Sequence, residues 1–439
     1  MRLTLRSSLF TLALAMSSIV SSIVLSIAPS SVAAQSPTLP SLSTATDLGQ
    51  QLFEQSGSTG LVLVVVRDNQ VYFHGYGETA PGSHQPPTSD SVLRLCSLTK
   101  IFTTDLLTKL VADNTVHLND PLQLYAPMHT IVPKRIQPIT LFDLATHTSG
   151  LPRELGAAPR ATPHFTFPDY RTRWRWLGNQ RLKFTPGTAA LYSNVAFDLL
   201  ADALQSASGT PYSTLLAQRT LNPLHMRNTT YYPTAQQCSL LLVGGNNEGL
   251  CTVTEQTDGS SGLYSNATDM AIWLQYLLRT SGTAVPTQDP AAQDIYLSPG
   301  KLISQQGLDH AGPPTGIGLG WMHIQPVDDR SHIIQKTGGG AGFATYIAIN
   351  HARHTAIFIA ATDGPSIPRS TVADSSTTPV PHLNLFQSAN NLLLNISGLP
   401  PLPPPPPKPI RRSRPKTKPT MNRPTSKRPI SRRLARRTH

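Results

Sequence analysis

Ser97-Leu98-Thr99-Lys100 sets a hydroxyl and an amine three positions apart, and on a helix such residues share one face. This pair suits acyl transfer: a neutral amine takes the serine proton and the oxygen attacks a carbonyl carbon. The reaction also needs a proton route to the leaving group and donors for the oxyanion. Tyr192-Ser193-Asn194 supplies a phenol that can relay a proton and a carboxamide, on Asn194, that can hold a substrate amide. Lys336-Thr337-Gly338 supplies an ammonium and a hydroxyl for a carboxylate, on a backbone small enough for a substrate to pair alongside. The backbone N–H groups of Ser97, at a helix start, and of Gly339 are the candidate oxyanion donors.

Each motif is short, so context selects among copies. Ser298 with Lys301 repeats the first spacing, but Pro299-Gly300 between them forbids a regular helix. Ser413 with Lys416 repeats it again inside a Pro- and Arg-rich tail. Tyr264-Ser265-Asn266 repeats the second motif, beside Gly259-Ser260-Ser261-Gly262, where a cleft wall and a plain loop are both open readings. Tyr192 is preferred because the turn Pro186-Gly187-Thr188 precedes it and a helical run from Val195 to Leu204 follows. His147, in His147-Thr148-Ser149-Gly150, reads as a loop histidine bonded to nearby backbone. Neither H-E-x-x-H nor the G-x-S-x-G elbow of an α/β-hydrolase occurs, so the chemistry calls for no metal and no cofactor.

The elements that must carry these groups are legible as periodicity. Leu61 to Val66 is a buried-strand run, turned by Asp68-Asn69 into Val71-Tyr72-Phe73, so a β-hairpin is expected to open the mature fold. Leu98, Ile101, Phe102, Leu106 and Leu110 mark the apolar side of a helix that begins at the serine. Helical signals then dominate to about residue 290, with Thr140 as an N-cap. Strands return at Ile333, with Phe343 to Asn350 and Thr355 to Ala361 forming a hairpin across His351 to His354, and Leu383 to Leu394 is a last helix. This order predicts an α/β part from about 45–95 and 300–397 with a mostly helical part, about 96–299, inserted.

The ends read differently. Arg2 and Arg6, the apolar stretch Leu9 to Ile27 and Val32-Ala33-Ala34 read as an export signal cleaved after Ala34; the rival reading is an uncleaved membrane anchor, which Ser17, Ser18, Ser21, Ser22 and Ser26 within the apolar run argue against. The tail from Gly398 holds five consecutive prolines, 13 of the 36 Lys and Arg residues and no acid, and is expected to be disordered. The net charge of +12 therefore resides in the tail, and the near-neutral body gives no sign of a nucleic-acid partner. The tail's charge suits weak contact with an anionic envelope surface. Of three cysteines, Cys238 and Cys251 lie in one loop-like stretch where an exported chain can form a disulfide, leaving Cys96 as a small core residue.

Taken in order, Ser97-Leu98-Thr99-Lys100, Tyr192-Ser193-Asn194 and Lys336-Thr337-Gly338 resemble the serine β-lactamase and penicillin-binding-protein superfamily, in its Tyr-containing class C branch. The resemblance covers about Gly57 to Leu394 and includes the Cys238 and Cys251 pair, while Cys96 stands where a small residue is expected. It implies a β-lactamase-like α/β fold, an antiparallel sheet flanked by helices with a helical insertion. It implies a periplasmic D-alanyl-D-alanine carboxypeptidase and endopeptidase that acts on peptidoglycan stem peptides and binds β-lactams. In that reading Ser97 is the nucleophile, Lys100 its base, Tyr192 the proton relay, Asn194 the holder of the acyl amide, and Lys336, Thr337 and Gly338 the binders of the substrate's terminal end. A β-lactamase or an esterase would keep the same residues, and a non-catalytic binder of wall peptides or penicillins would not need the proton-transfer set.

Overall fold

The computed structural model describes residues 42–245, 249–280, 292–308, 310–325, 331–362 and 385–402; the export signal, Ser413 with Lys416, and the tail beyond 402 lie outside them. Among the described residues the first element is a helix, α1 (Thr44–Ser56), which precedes the expected hairpin. Its apolar stripe is thin, with Ala45, Gly49 and Leu52 buried and glutamines between, so the sequence signal is weak; Gly57 ends it in the left-handed conformation. The hairpin follows as β1 (Gly60–Arg67) and β2 (Gln70–Gly77). Asp68 and Asn69 both take positive φ, the turn geometry that matches the right-handed twist of a two-residue hairpin.

After the short strand β3 (Leu93–Arg94) comes a single 3-10 turn, Cys96–Leu98, that runs directly into α2 (Thr99–Ala112). The middle of the chain holds α3 (Leu141–Ala145), α4 (Tyr170–Leu177), the short strand β4 (Ala190–Leu191), α5 (Asn194–Ser208), α6 (Tyr212–Leu216) and α7 (Ala235–Ser239). Thr140 caps α3 in a reciprocal capping box with Asp143. Next come β5 (Tyr264–Ser265), α8 (Ala267–Thr280), β6 (Gln305–Gln306), β7 (Gly316–Ile317) and β8 (Met322–Ile324). The chain closes with β9 (Ile333–Gly340), β10 (Phe343–Asn350), β11 (Thr355–Thr362) and α9 (Leu385–Ile396).

Seven strands form one antiparallel sheet in the order β2-β1-β11-β10-β9-β8-β7, so both ends of the chain build it. Strand β1 is buried along its whole length, which is why it reads as a continuous apolar run. Leu61, Leu63 and Val65 face a core shared with α1 and α9, and Val62, Val64 and Val66 face the larger core shared with the central helices. Helix α8 packs on this second face, and its Trp273 stacks on Phe102 of α2 at 4.1 Å between ring centroids.

Two polar devices fix the central helices. Arg173 of α4 is buried and binds both carboxylate oxygens of Asp202 on α5, at 2.7 and 2.6 Å, while Trp174 Nε1 donates to the same carboxylate. Cys238 and Cys251 are disulfide-bonded, and the carbonyls of Gly249 and Leu250 beside that bond accept from Arg94, three residues before Ser97. Arg173→Met, which leaves Asp202 buried without its cation, is expected to cost about 3–5 kcal/mol in urea unfolding; a cost below about 1 kcal/mol would show that the pair is not needed.

Candidate active site

The 3-10 turn ahead of α2 presents Ser97, and one helical turn later Lys100 reaches back to it. Lys100 is completely buried. Its Nζ lies 3.4 Å from Ser97 Oγ, 2.6 Å from Asn194 Oδ1 and 2.8 Å from the carbonyl of Ser260. Three acceptors thus meet the three protons of an ammonium, and on loss of one proton the free lone pair can face Ser97. Burial lowers the Lys100 pKa to about 7. Asp198 and Glu154 oppose the shift, and the cation that adds to it is Arg153, which the motifs alone did not single out.

Tyr192 follows β4 and is held from beneath by His147, stacked on it at 4.5 Å. The His147 Nδ1 accepts the backbone N–H of Ser193, and burial with the charges of Lys336, Lys100 and Arg153 keeps the ring neutral. Three cations ring the Tyr192 side chain: Lys100 Nζ and Lys336 Nζ each 4.9 Å from the ring centroid, and the Arg153 guanidinium at 4.7 Å. Lys336 is buried and its pKa falls to about 8 through desolvation, with the Tyr192 oxygen pulling it up and Lys100 pushing it down.

Lys336 to Gly340 continue strand β9 and do not merely follow it. Strand β8 pairs with β9 only as far as Gln335, so this stretch keeps one edge free of β8 where the Ser97 turn packs against it. The approach is close. A Cβ on Gly338 would stand 2.2 Å from Thr345 Oγ1 and 3.2 Å from Ser97 N, so only glycine fits. Ser97, Arg153, Tyr192, Thr337, Gly338 and Gly339 line a single cleft of about 300 Å³. Of the singled-out groups, Ser97, Tyr192, Thr337, Gly338 and Gly339 thus open on one cavity; Lys336 lies against the Tyr192 ring, and Lys100 and Asn194 connect to the cavity through the Lys100–Ser97 contact.

The rival motif copies are elsewhere. Ser298 and Lys301 are exposed around a 3-10 turn, and Tyr264 is buried under Arg94, whose Nη1 donates to its hydroxyl. Three contributors escaped the motif search. The Ser260 carbonyl reaches Lys100 because Gly259 lies against the Phe197 carbonyl, where a Cβ would stand at 2.1 Å. Arg153 and Glu154 follow the His147 loop, and Glu154 Oε1 accepts from Asn194 Nδ2 at 2.5 Å. Their signal, two adjacent opposite charges after a Gly-Leu-Pro turn, is too common to notice alone.

Residues 46–377 match the Beta-lactamase family, three quarters of the chain. The chain belongs to that family. Within it, the chain is 40% identical over 352 residues to the D-alanyl-D-alanine-carboxypeptidase/endopeptidase AmpH of Escherichia coli strain K12, covering 80% of this chain and 88% of that one. A crystal structure titled Beta-lactamase/D-alanine Carboxypeptidase from Yersinia pestis, complexed with citrate, superposes with a TM-score of 0.73 at 38% identity, covering 81% of this chain and 99% of that one. A class C β-lactamase structure, 18% identical over 81% of this chain and 95% of that one, shares the fold at a TM-score of 0.61. The α/β sheet with flanking helices is accordingly the family's class C fold.

The glycines of β9 give a test with an internal control. Gly338→Ala should lose about 1–3 kcal/mol of stability in urea unfolding through overpacking. Gly339→Ala, whose Cβ meets nothing nearer than the Phe343 carbonyl at 3.8 Å, should lose far less. Equal losses would contradict the close approach.

Proposed function

We propose that the protein is an exported serine D-alanyl-D-alanine carboxypeptidase and endopeptidase that cleaves peptidoglycan peptides through a Ser97 acyl-enzyme and is acylated by β-lactams. The observation that carries this reading is the fully buried Lys100 amine within reach of Ser97 Oγ in a cleft edged by β9. Its likeness to the AmpH peptidase, at 40% identity against 24% for a Pseudomonas fluorescens β-lactamase, supports the substrate class.

Neutral Lys100 accepts the Ser97 proton as Oγ bonds to the carbonyl carbon of the penultimate D-alanine. The oxyanion is held by the N–H groups of Ser97 and Gly339. As the C–N bond breaks, a proton passes through Tyr192 to the leaving amine of the last D-alanine, whose carboxylate rests on Lys336 and Thr337. Asn194 orients the acyl amide. Water then attacks the ester, losing its proton to the same groups, and releases Ser97. The reaction takes place in the periplasm after cleavage of the signal, and the basic tail holds the enzyme to anionic envelope surfaces in a salt-sensitive way. Deleting the chain from Gly398 onward tests that last point: unchanged salt-sensitive binding to sacculi or anionic vesicles would remove it.

Two further outcomes follow. Purified mature protein should take a covalent fluorescent-penicillin label and release D-alanine from a pentapeptide ending in D-Ala-D-Ala, and Ser97→Ala should do neither. Rapid penicillin turnover without D-alanine release would indicate a β-lactamase instead. The pH profile of kcat/KM should be bell-shaped: below about 7 Lys100 holds a proton and cannot act as base, and above about 8 Lys336 loses the charge that binds the carboxylate. A rate still rising well above pH 9 would contradict these roles.

A further inference from the structure

The chain does not leave the fold where its last helix ends. Gly398, in the left-handed conformation, reverses its direction, and the backbone N–H groups of Ser397 and Leu399 donate to the carbonyls of Leu393 and Leu394. Further on, the Leu402 N–H donates to Asn391 Oδ1 at 3.0 Å, and Leu399 and Leu402 pack on the core that α1 and α9 share. The helix partners step backwards, from Leu394 to Asn391, so the chain runs antiparallel to α9. At Leu402 it still lies against the helix.

Beside it a groove of about 240 Å³ runs between α1 and α9, and Pro401 already forms part of its wall. Leu48, Leu52 and Leu392 give the groove an apolar floor. Gln51 and Gln55 of α1 and Asn391 and Asn395 of α9 rim it with carboxamides, and among the described residues no charged side chain lines it. A polyproline helix calls for such a surface. Proline has no N–H to give, the carbonyls of the helix are left without internal partners, and the rings need apolar contact. A segment already stiffened by its prolines also loses little entropy on docking. The residues that follow Leu402 are Pro403 to Pro407, and the uncharged rim suits them better than the Lys- and Arg-rich sequence beyond.

We propose that the groove between α1 and α9 is the docking site of the chain's own Pro403–Pro407, which straps the two helices together and carries the basic tail to the mouth of the catalytic cleft. The direction follows from the geometry. Ser388 lines the groove one helical turn nearer the start of α9 than Asn391, and Phe386, two residues earlier, lines the cleft that holds Ser97. From Asn391 back to Phe386 the helix spans about 7.5 Å, at about 1.5 Å per residue. Five prolines span about 15 Å as a polyproline helix, at about 3.1 Å each, so Lys408 emerges beside the cleft. All 13 Lys and Arg residues of the tail follow from there, and whatever anionic surface they hold is faced by the cleft. The strap is independent of the reaction at Ser97.

The test is paramagnetic broadening in NMR spectra of the full mature protein, isotopically enriched and carrying a nitroxide on Lys408→Cys. Cys96 is buried and the other two cysteines are disulfide-bonded, so the label goes to the tail alone. The amide signals of Phe386, Gln387 and Ser388 should lose most of their intensity, while those of Asn395 and Ser397 keep most of theirs. That selective loss should vanish when Pro403–Pro407 is replaced by alternating Gly and Ser, and shrink in Asn391→Ala, an exposed position that holds the Leu402 N–H. No broadening, equal broadening at both ends of α9, or loss at Asn395 alone would overturn the inference, as would a Gly-Ser variant that broadens Phe386 to Ser388 as strongly. So would broadening of enriched, unlabelled protein by labelled, unenriched protein, since the groove would then take the tail of a second copy.

Discussion

The site is organised around an amine that has been taken out of water. Placing an ammonium in the protein interior costs several kcal/mol unless it is paired, and the alternative open to lysine is to give up the proton. Lys100 has three acceptors but no carboxylate bonded to it directly, so hydrogen bonding is satisfied while charge is not fully compensated. That balance leaves its pKa near neutrality, where the amine can both take and return a proton. The acids beneath it share the constraint: Asp198 is pushed upward by the same burial, and Asp202 keeps its place through Arg173.

Holding those acceptors around one nitrogen requires three distant segments to converge. Lys100 comes from α2, Asn194 from the first residue of α5, and Ser260 from a turn whose Gly259 lets it approach α5. The fourth segment is β9, brought to the serine by Gly338 and anchored by the Thr345 hydroxyl of β10, which donates to the Leu95 carbonyl. The sheet thus provides a rigid edge and the helices provide the polar interior. The chain's two ends must meet in one sheet for that edge to form, because β1 pairs with β11 along its whole length.

Much of this is readable in the sequence because it follows from local rules. The β1 run, the Asp68-Asn69 turn, the Thr140 cap and the α2 stripe each fix backbone by neighbours a few residues away. Ser97, Lys100, Tyr192 and Lys336 could be singled out because their chemistry has a characteristic spacing. What was missed acts through space. A backbone carbonyl such as that of Ser260 has no signature in residue type, Arg153 and Glu154 matter only because a loop folds them over Tyr192 and Asn194, and α1 has too few apolar residues to announce itself. Arg153, which no motif marks, adds its charge to the desolvation of Lys100.

The central claim is that burial makes Lys100 a base at physiological pH. The direct measurement is an NMR titration of the mature protein with isotopically labelled lysine side chains, the Lys100 signal being assigned by its loss in Lys100→Arg. The account expects a midpoint near 7, and a midpoint at the ordinary lysine value of about 10.4 would contradict it.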